Sequence, residues 1–136
     1  MVTIRREIPT FAVGDVDAAR AFYSDTLGLR VTVLDNGEGL VLRLGSGTPV
    51  FLYPKEDHQP AGFTVLHLEV DDVDQVVDEL TAKGVEFVRY NGFGQDEKGV
   101  ARGFMAGGDG AWVTDPSGNV IGFADGTGTQ ALFDES

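Results

Sequence analysis

The sequence predicts an α+β fold: two βαβββ modules forming a curved, mixed, largely antiparallel sheet around a shared cleft. Three observations carry this reading. Val13-Gly14-Asp15-Val16-Asp17 returns 57 residues later as Val70-Asp71-Asp72-Val73-Asp74, with four of five positions identical. Each copy follows a strand-like run and opens a stretch whose apolar residues fall at helical spacing. Each helical stretch is followed by three short β-like segments separated by turn residues.

In the first half, Val16, Ala19, Phe22, Tyr23 and Leu27 share one helix face, which predicts a helix over 16–27. Asp15 is placed to cap it, because its carboxylate can accept the unpaired amides of the first turn. Gly28 suits the left-handed position that ends it. Strands are predicted over 29–34, 40–45 and 49–54, with Asn36-Gly37 as a hairpin signal. Residues 55–62 read as the linker.

In the second half, Val73, Val76, Val77 and Leu80 predict a helix over 73–83, and Gly84 ends it. Asp72 with Gln75 fits a capping box. Strands are predicted over 85–91, 111–115 and 119–124. Asp115-Pro116-Ser117-Gly118-Asn119 supplies a turn, since Pro presets one dihedral and Gly provides a positive φ. The chain is therefore expected to be one domain over 1–136, with module one at 4–54, module two at 63–125 and a flexible tail at 126–136. Within that tail, Leu132 and Phe133 are candidates to dock it.

Composition narrows the function. There is no Cys, so disulfides, thiolate nucleophiles and thiolate metal sites are excluded. The formal net charge is −12, from 22 acidic and 10 basic residues. Such a field repels nucleic acid and anionic membranes and favours cationic ligands. No apolar run of signal-peptide or membrane-spanning length is found, which predicts a soluble cytoplasmic protein. Neither a GxSxG elbow nor a GxxxxGK[ST] loop is present.

Three stretches together resemble the vicinal oxygen chelate superfamily, the glyoxalase, bleomycin-resistance and extradiol dioxygenase group. They are Val13 to Tyr23 with Leu27-Gly28-Leu29, then Leu68 to Asp74 with Lys83 to Phe87, and finally Trp112 to Ile121. The resemblance covers about residues 6–124. It implies paired βαβββ modules and a homodimer. Its enzymes commonly hold a divalent metal through His and Glu residues from four strands, and other members bind drugs without metal. The positions equivalent to those ligands are Ile8, Val65, Gly122 and one residue within Phe51 to Tyr53. Ile, Val and Gly have no side-chain lone pairs, so neither metal nor cofactor is expected. A register shift of two residues would bring in His67, with Thr10 as its counterpart in module one.

Strand alternation puts Val65, His67 and Glu69 on one face, matching Ile8, Thr10 and Ala12 in the first half. Leu66, Leu68, Val70, Pro9, Phe11 and Val13 are expected to face the helices. His67 has three open roles: a structural hydrogen bond, contact with a ligand, or general base chemistry with Glu69 orienting it or attracting a cation. His58, in the polar linker, reads as solvated. Tyr53, Tyr90, Phe93, Phe104 and Trp112 are candidate aromatic walls, against the alternative of ordinary core packing. Arg43 should point away from the helix, into the cleft or into an ion pair. The Gly-rich stretch 92–110 is either a flap or a plain surface loop.

The ligand-binding candidates are thus Thr10, Tyr53, His67, Glu69, Phe104 and Trp112, with no catalytic residue assigned. The expected partner is a cationic or aromatic small molecule. The expected activity is binding, with a glyoxalase-like lyase or dioxygenase as the alternative.

Overall fold

The computed structural model describes residues 1–134 and divides the chain into two compact units, Met1–Pro60 and a second beginning at Ala61. The first contains β1 (Thr10–Val13), α1 (Val16–Arg20), β2 (Arg30–Val33), β3 (Leu40–Arg43) and β4 (Pro49–Pro54). The second contains β5 (Thr64–Glu69), α2 (Val73–Ala82), β6 (Ala101–Met105), β7 (Gly108–Thr114), β8 (Val120–Ala124) and α3 (Thr127–Phe133). The two sheets have the same topology, with strand orders β1-β4-β3-β2 and β5-β8-β7-β6. In each, the first strand runs parallel to the last and the other pairs are antiparallel. Two α+β modules of βαβββ type are therefore present.

In the first unit Asp15 is extended, and its carboxylate accepts the Ala18 N–H at 3.0 Å. The helix continues beyond Arg20 as a π-helical turn, Ala21–Thr26, so the expected length is kept while its second half is wider. Leu27 N–H bonds the Phe22 carbonyl at 2.9 Å, and Gly28 turns left-handed at φ 76°. Ala19, Phe22 and Tyr23 are buried together with Val13, Leu40, Leu42, Val50 and Leu52, one alternate set along the strands. The Asn36-Gly37 signal marks a longer connection than a two-residue hairpin. Leu34 N–H closes on the Gly39 carbonyl at 2.9 Å, around a 3₁₀ turn at Asp35–Gly37 that holds Asn36 at φ 60°. At the end of this connection Gly39 passes so close to the Leu52 carbonyl that no side chain fits there.

In the second unit Asp72 caps α2 by accepting the Gln75 N–H at 3.3 Å. The expected capping box is one-sided, because the Gln75 amide donates to Glu79 Oε1 at 3.2 Å. Gly84 at φ 88° ends the helix. Val85 N–H returns to the Leu80 carbonyl and Gly84 N–H to the Thr81 carbonyl, both at 3.0 Å. The Asp115–Asn119 turn is closed by the buried Asp115. Its carboxylate accepts the Ser117 and Asn119 N–H groups at 2.9 Å and the Asn119 amide at 3.0 Å.

Two expectations change here. Residues 85–91 do not form a strand. Val88 N–H reaches the Trp112 carbonyl at 2.8 Å, but the neighbouring backbone groups are taken by the side chain of Gln95. The first strand after α2 is instead β6, inside the Gly-rich stretch. That stretch is also tied down from outside its strand. Arg102 bonds Asp74 on α2, Asp96 and Asp109, while Lys98 reaches Asp74 and Asp78. The segment expected as a tail forms α3 as far as Phe133, with Thr129 buried and its hydroxyl donating to the Met105 carbonyl at 2.7 Å. Leu132 and Phe133 stay exposed. Among the described residues no helix is long and apolar enough to cross a membrane.

Candidate functional site

Register across the second sheet aligns His67 on β5 with Gly122 on β8, and Gly122 with Trp112 on β7. These three positions form a row on one sheet face. The opposite face carries the buried Ala111, Val113, Ile121 and Phe123, whose unit also buries Val73, Val77 and Leu80 of α2. The row therefore lies on the face turned away from α2.

The His67 ring lies directly over Gly122. A Cβ built at 122 would sit 2.5 Å from His67 Cε1, 2.7 Å from Nδ1 and 2.9 Å from Nε2. On its other side His67 stacks with Phe104 at 6.3 Å between centroids and 25° between planes. Phe104 in turn covers Gly110, where a Cβ would lie 2.8 Å from its ring. Trp112 is edge-on to Phe104 at 4.8 Å and to Tyr90 at 5.5 Å, and lies parallel beneath Phe93 at 5.2 Å and 18°. Trp112, Ala101 and Val120 make a buried nucleus, with Val88, Tyr90 and Phe104 packed against it. Five rings thus form one contiguous aromatic cluster, and two glycines make room for it.

His67 keeps an exposed edge, yet its neighbours remove enough water from the ring to push its pKa below the ordinary histidine value. The neutral imidazole is favoured. Its polar atoms make no hydrogen bond within the described residues. Glu69 is exposed, opposite Ala124, and makes no bond to His67. The orienting carboxylate that a general base commonly uses is therefore not supplied by Glu69.

The other candidates fall in the first unit. Thr10 and Tyr53 are exposed on β1 and β4, on the face not covered by the unit's own helix. The Thr10 hydroxyl donates to the Ile8 carbonyl at 2.8 Å, and Tyr53 lies 6.1 Å from Phe51. Tyr53 is thus not part of the five-ring cluster. Arg43 shares that face, donates from Nε to Thr32 Oγ1 at 3.2 Å and stands opposite Arg30. Among the described residues it has no ion pair. His58 departs from its expected solvation: a turn closed by its N–H on the Lys55 carbonyl leaves Nε2 buried without a hydrogen-bond partner.

The residues present do not fit a chelated divalent metal. Among the described residues no three His, Asp or Glu side chains converge to hold an ion. The space where a carboxylate at position 122 would begin is filled by the His67 ring. Sequence reasoning named each ring but missed their assembly. It also missed Gln95, whose amide holds the segment carrying Tyr90, and nothing in the local sequence marks it. A depression against α2, lined by Val77, Thr81, Phe87, Arg89 and Lys98 among others, contains none of the candidate residues.

Comparison with known proteins places this geometry in context. Among solved structures, a glyoxalase family protein from Bacillus anthracis superposes with a TM-score of 0.66 at 21% identity, covering 93% of this chain and 100% of that one. Lactoylglutathione lyase from Agrobacterium tumefaciens gives 0.61 at 20% identity, over 88% of this chain and 91% of that one. TnmS3, an antibiotic binding protein from Streptomyces sp. CB03234, gives 0.63 at 24% identity, over 93% and 100%. These likenesses speak to the fold. No curated protein matches the chain. The family model for the Glyoxalase/Bleomycin resistance protein/Dioxygenase superfamily matches residues 8–123, and the chain belongs to that superfamily.

Proposed function

We propose that this protein binds a small molecule without a metal and sequesters an antibiotic or aromatic metabolite, in the manner of bleomycin-resistance proteins. The observation that carries this reading is the aromatic cluster of His67, Phe104 and Trp112, whose His67 ring fills the space beside Gly122, a position equivalent by resemblance to a family chelating residue. Aromatic walls with few polar atoms suit a planar ligand, and ring faces attract cations. The net charge of −12 supports a cationic one. The antibiotic-binding TnmS3 is a precedent for this fold in that role. Thr10, Tyr53 and Glu69 are further ligand contacts in this reading. The protein acts in the cytoplasm as a homodimer, a state that rests on the family resemblance.

A second reading has a specific observation behind it. The neutral, desolvated imidazole of His67 suits a metal-independent proton acceptor in a glyoxalase-like or dioxygenase-like reaction. Metal analysis of protein purified without chelator, combined with thermal shifts, separates the readings. Binding without metal predicts substoichiometric Fe, Mn, Ni and Zn. It also predicts stabilisation by 9-aminoacridine that fades as the Debye length shrinks from about 10 Å at 0.1 M salt to about 3 Å at 1 M. A stoichiometric metal lost in His67→Ala overturns the proposal. Stabilisation by neutral ligands alone rejects its electrostatic part.

A further inference from the structure

Four rings meet at Trp112, and three of them are held in place. Trp112 is 2% exposed on β7, and Phe104 is on β6 against Gly110. Tyr90 is fixed by its N–H on Gln95 Oε1 at 2.6 Å, while Gln95 Nε2 donates to the Val88 and Gly99 carbonyls at 2.9 and 2.7 Å. Phe93 differs. It is 46% exposed, between Gly92 at φ 95° and Gly94 at φ 59°. Asn91 and Gly92 form a local turn, and among the described residues no side-chain hydrogen bond holds residues 91–94, although Gln95 clamps the chain on both sides of them. Only this local turn holds the tip in place, and glycines supply the dihedral freedom for it to swing.

The Phe93 ring lies where a planar guest would lie. It is parallel to Trp112, and edge-on to Phe104 at 5.6 Å and 74° and to Tyr90 at 5.8 Å and 81°. Those are the favoured arrangements of aromatic pairs.

We propose that the face of Trp112 beneath Phe93 is the seat for the planar ring of the ligand, and that Phe93 is an internal occupant which the ligand displaces. This rests on the reading that the ligand is aromatic. It adds where the ring goes and what must leave first. A protein whose competent state is partly blocked binds more weakly by the fraction that is open. Removing the occupant therefore raises affinity.

The test is calorimetric titration with 2-naphthol, a neutral planar probe, of the wild type, Phe93→Ala and Phe93→Leu. Emission of the chain's single tryptophan is recorded in parallel. Phe93→Ala should red-shift Trp112 emission in the free protein, and 2-naphthol should bind about 3- to 10-fold more tightly than to wild type. Phe93→Leu, which keeps an apolar cover, should bind close to wild type. Near-UV circular dichroism confirms that the variants are folded. Equal or weaker binding by Phe93→Ala makes Phe93 a fixed wall and overturns the inference, while leaving the aromatic-ligand reading intact. Binding to none of the three proteins overturns the inference as well, and a salt-sensitive shift with 9-aminoacridine then still supports the broader function.

Discussion

Gly122→Ala probes the seating of His67 on β8. Gly122 does not have a positive φ, so an alanine meets no backbone penalty there. The added methyl meets the His67 ring instead: the three heavy atoms nearest to it, at 2.5, 2.7 and 2.9 Å, all belong to that ring. Overpacking of this kind costs about 1–3 kcal/mol. His67 has an exposed edge and two rotatable bonds, so it can swing aside. The cost then reduces to the lost stack on Phe104 and a poorer rotamer, about 1 kcal/mol. In a His67→Ala background the methyl no longer meets the ring, and Gly→Ala becomes neutral or stabilising by about 0.5 kcal/mol. A double-mutant cycle by urea denaturation, followed through Trp112 fluorescence, should therefore return a coupling of at least about 1 kcal/mol. Equal costs in the two backgrounds, within about 0.3 kcal/mol, would refute the seating of His67 and the exclusion of a carboxylate at this position.

Two further predictions address the scaffold. Gly39→Ala drives a Cβ into the Leu52 carbonyl at φ 133°, where backbone cannot swing away; unfolding free energy should fall by about 3 kcal/mol, read from the urea midpoint. Asp74 accepts hydrogen bonds from Arg102 and Lys98, which hold its carboxyl well below the usual range. A depressed carboxyl contributes stability above its unfolded pKa, near 3.9, and that contribution is lost as the pH falls below it. Asp74→Asn should thus flatten the acid limb of the stability profile between about pH 4 and pH 2, and an unchanged limb would show that the ion network does not anchor β6 to α2.

What was readable from sequence differs between the helices and the site. Asp15, Asp72, Gly28 and Gly84 act through neighbours a few residues away, so caps and stops are legible from local order. Strand alternation likewise separated His67 from Leu66 and Leu68. The span 85–91 misled for the opposite reason. Its apolar pattern suits a strand, but Gln95 takes the backbone groups of Val88 and Tyr90, and that competition appears only once the chain has folded back. β6 was hidden because Gly103 and the neighbouring glycines weaken any strand signal, whereas its hold comes from Arg102 bonding the distant Asp74 on α2 as well as the nearer Asp96 and Asp109.

The sequence by itself determined the duplicated α+β architecture and the family. Period, capping and the identity of single residues suffice for these. Only the tertiary structure decided that His67 lies over Gly122 and that Phe93 lies on Trp112. Both depend on register between strands and loops far apart in the chain. Parity along a strand says which face a side chain takes, but cross-strand register says which ring it meets there.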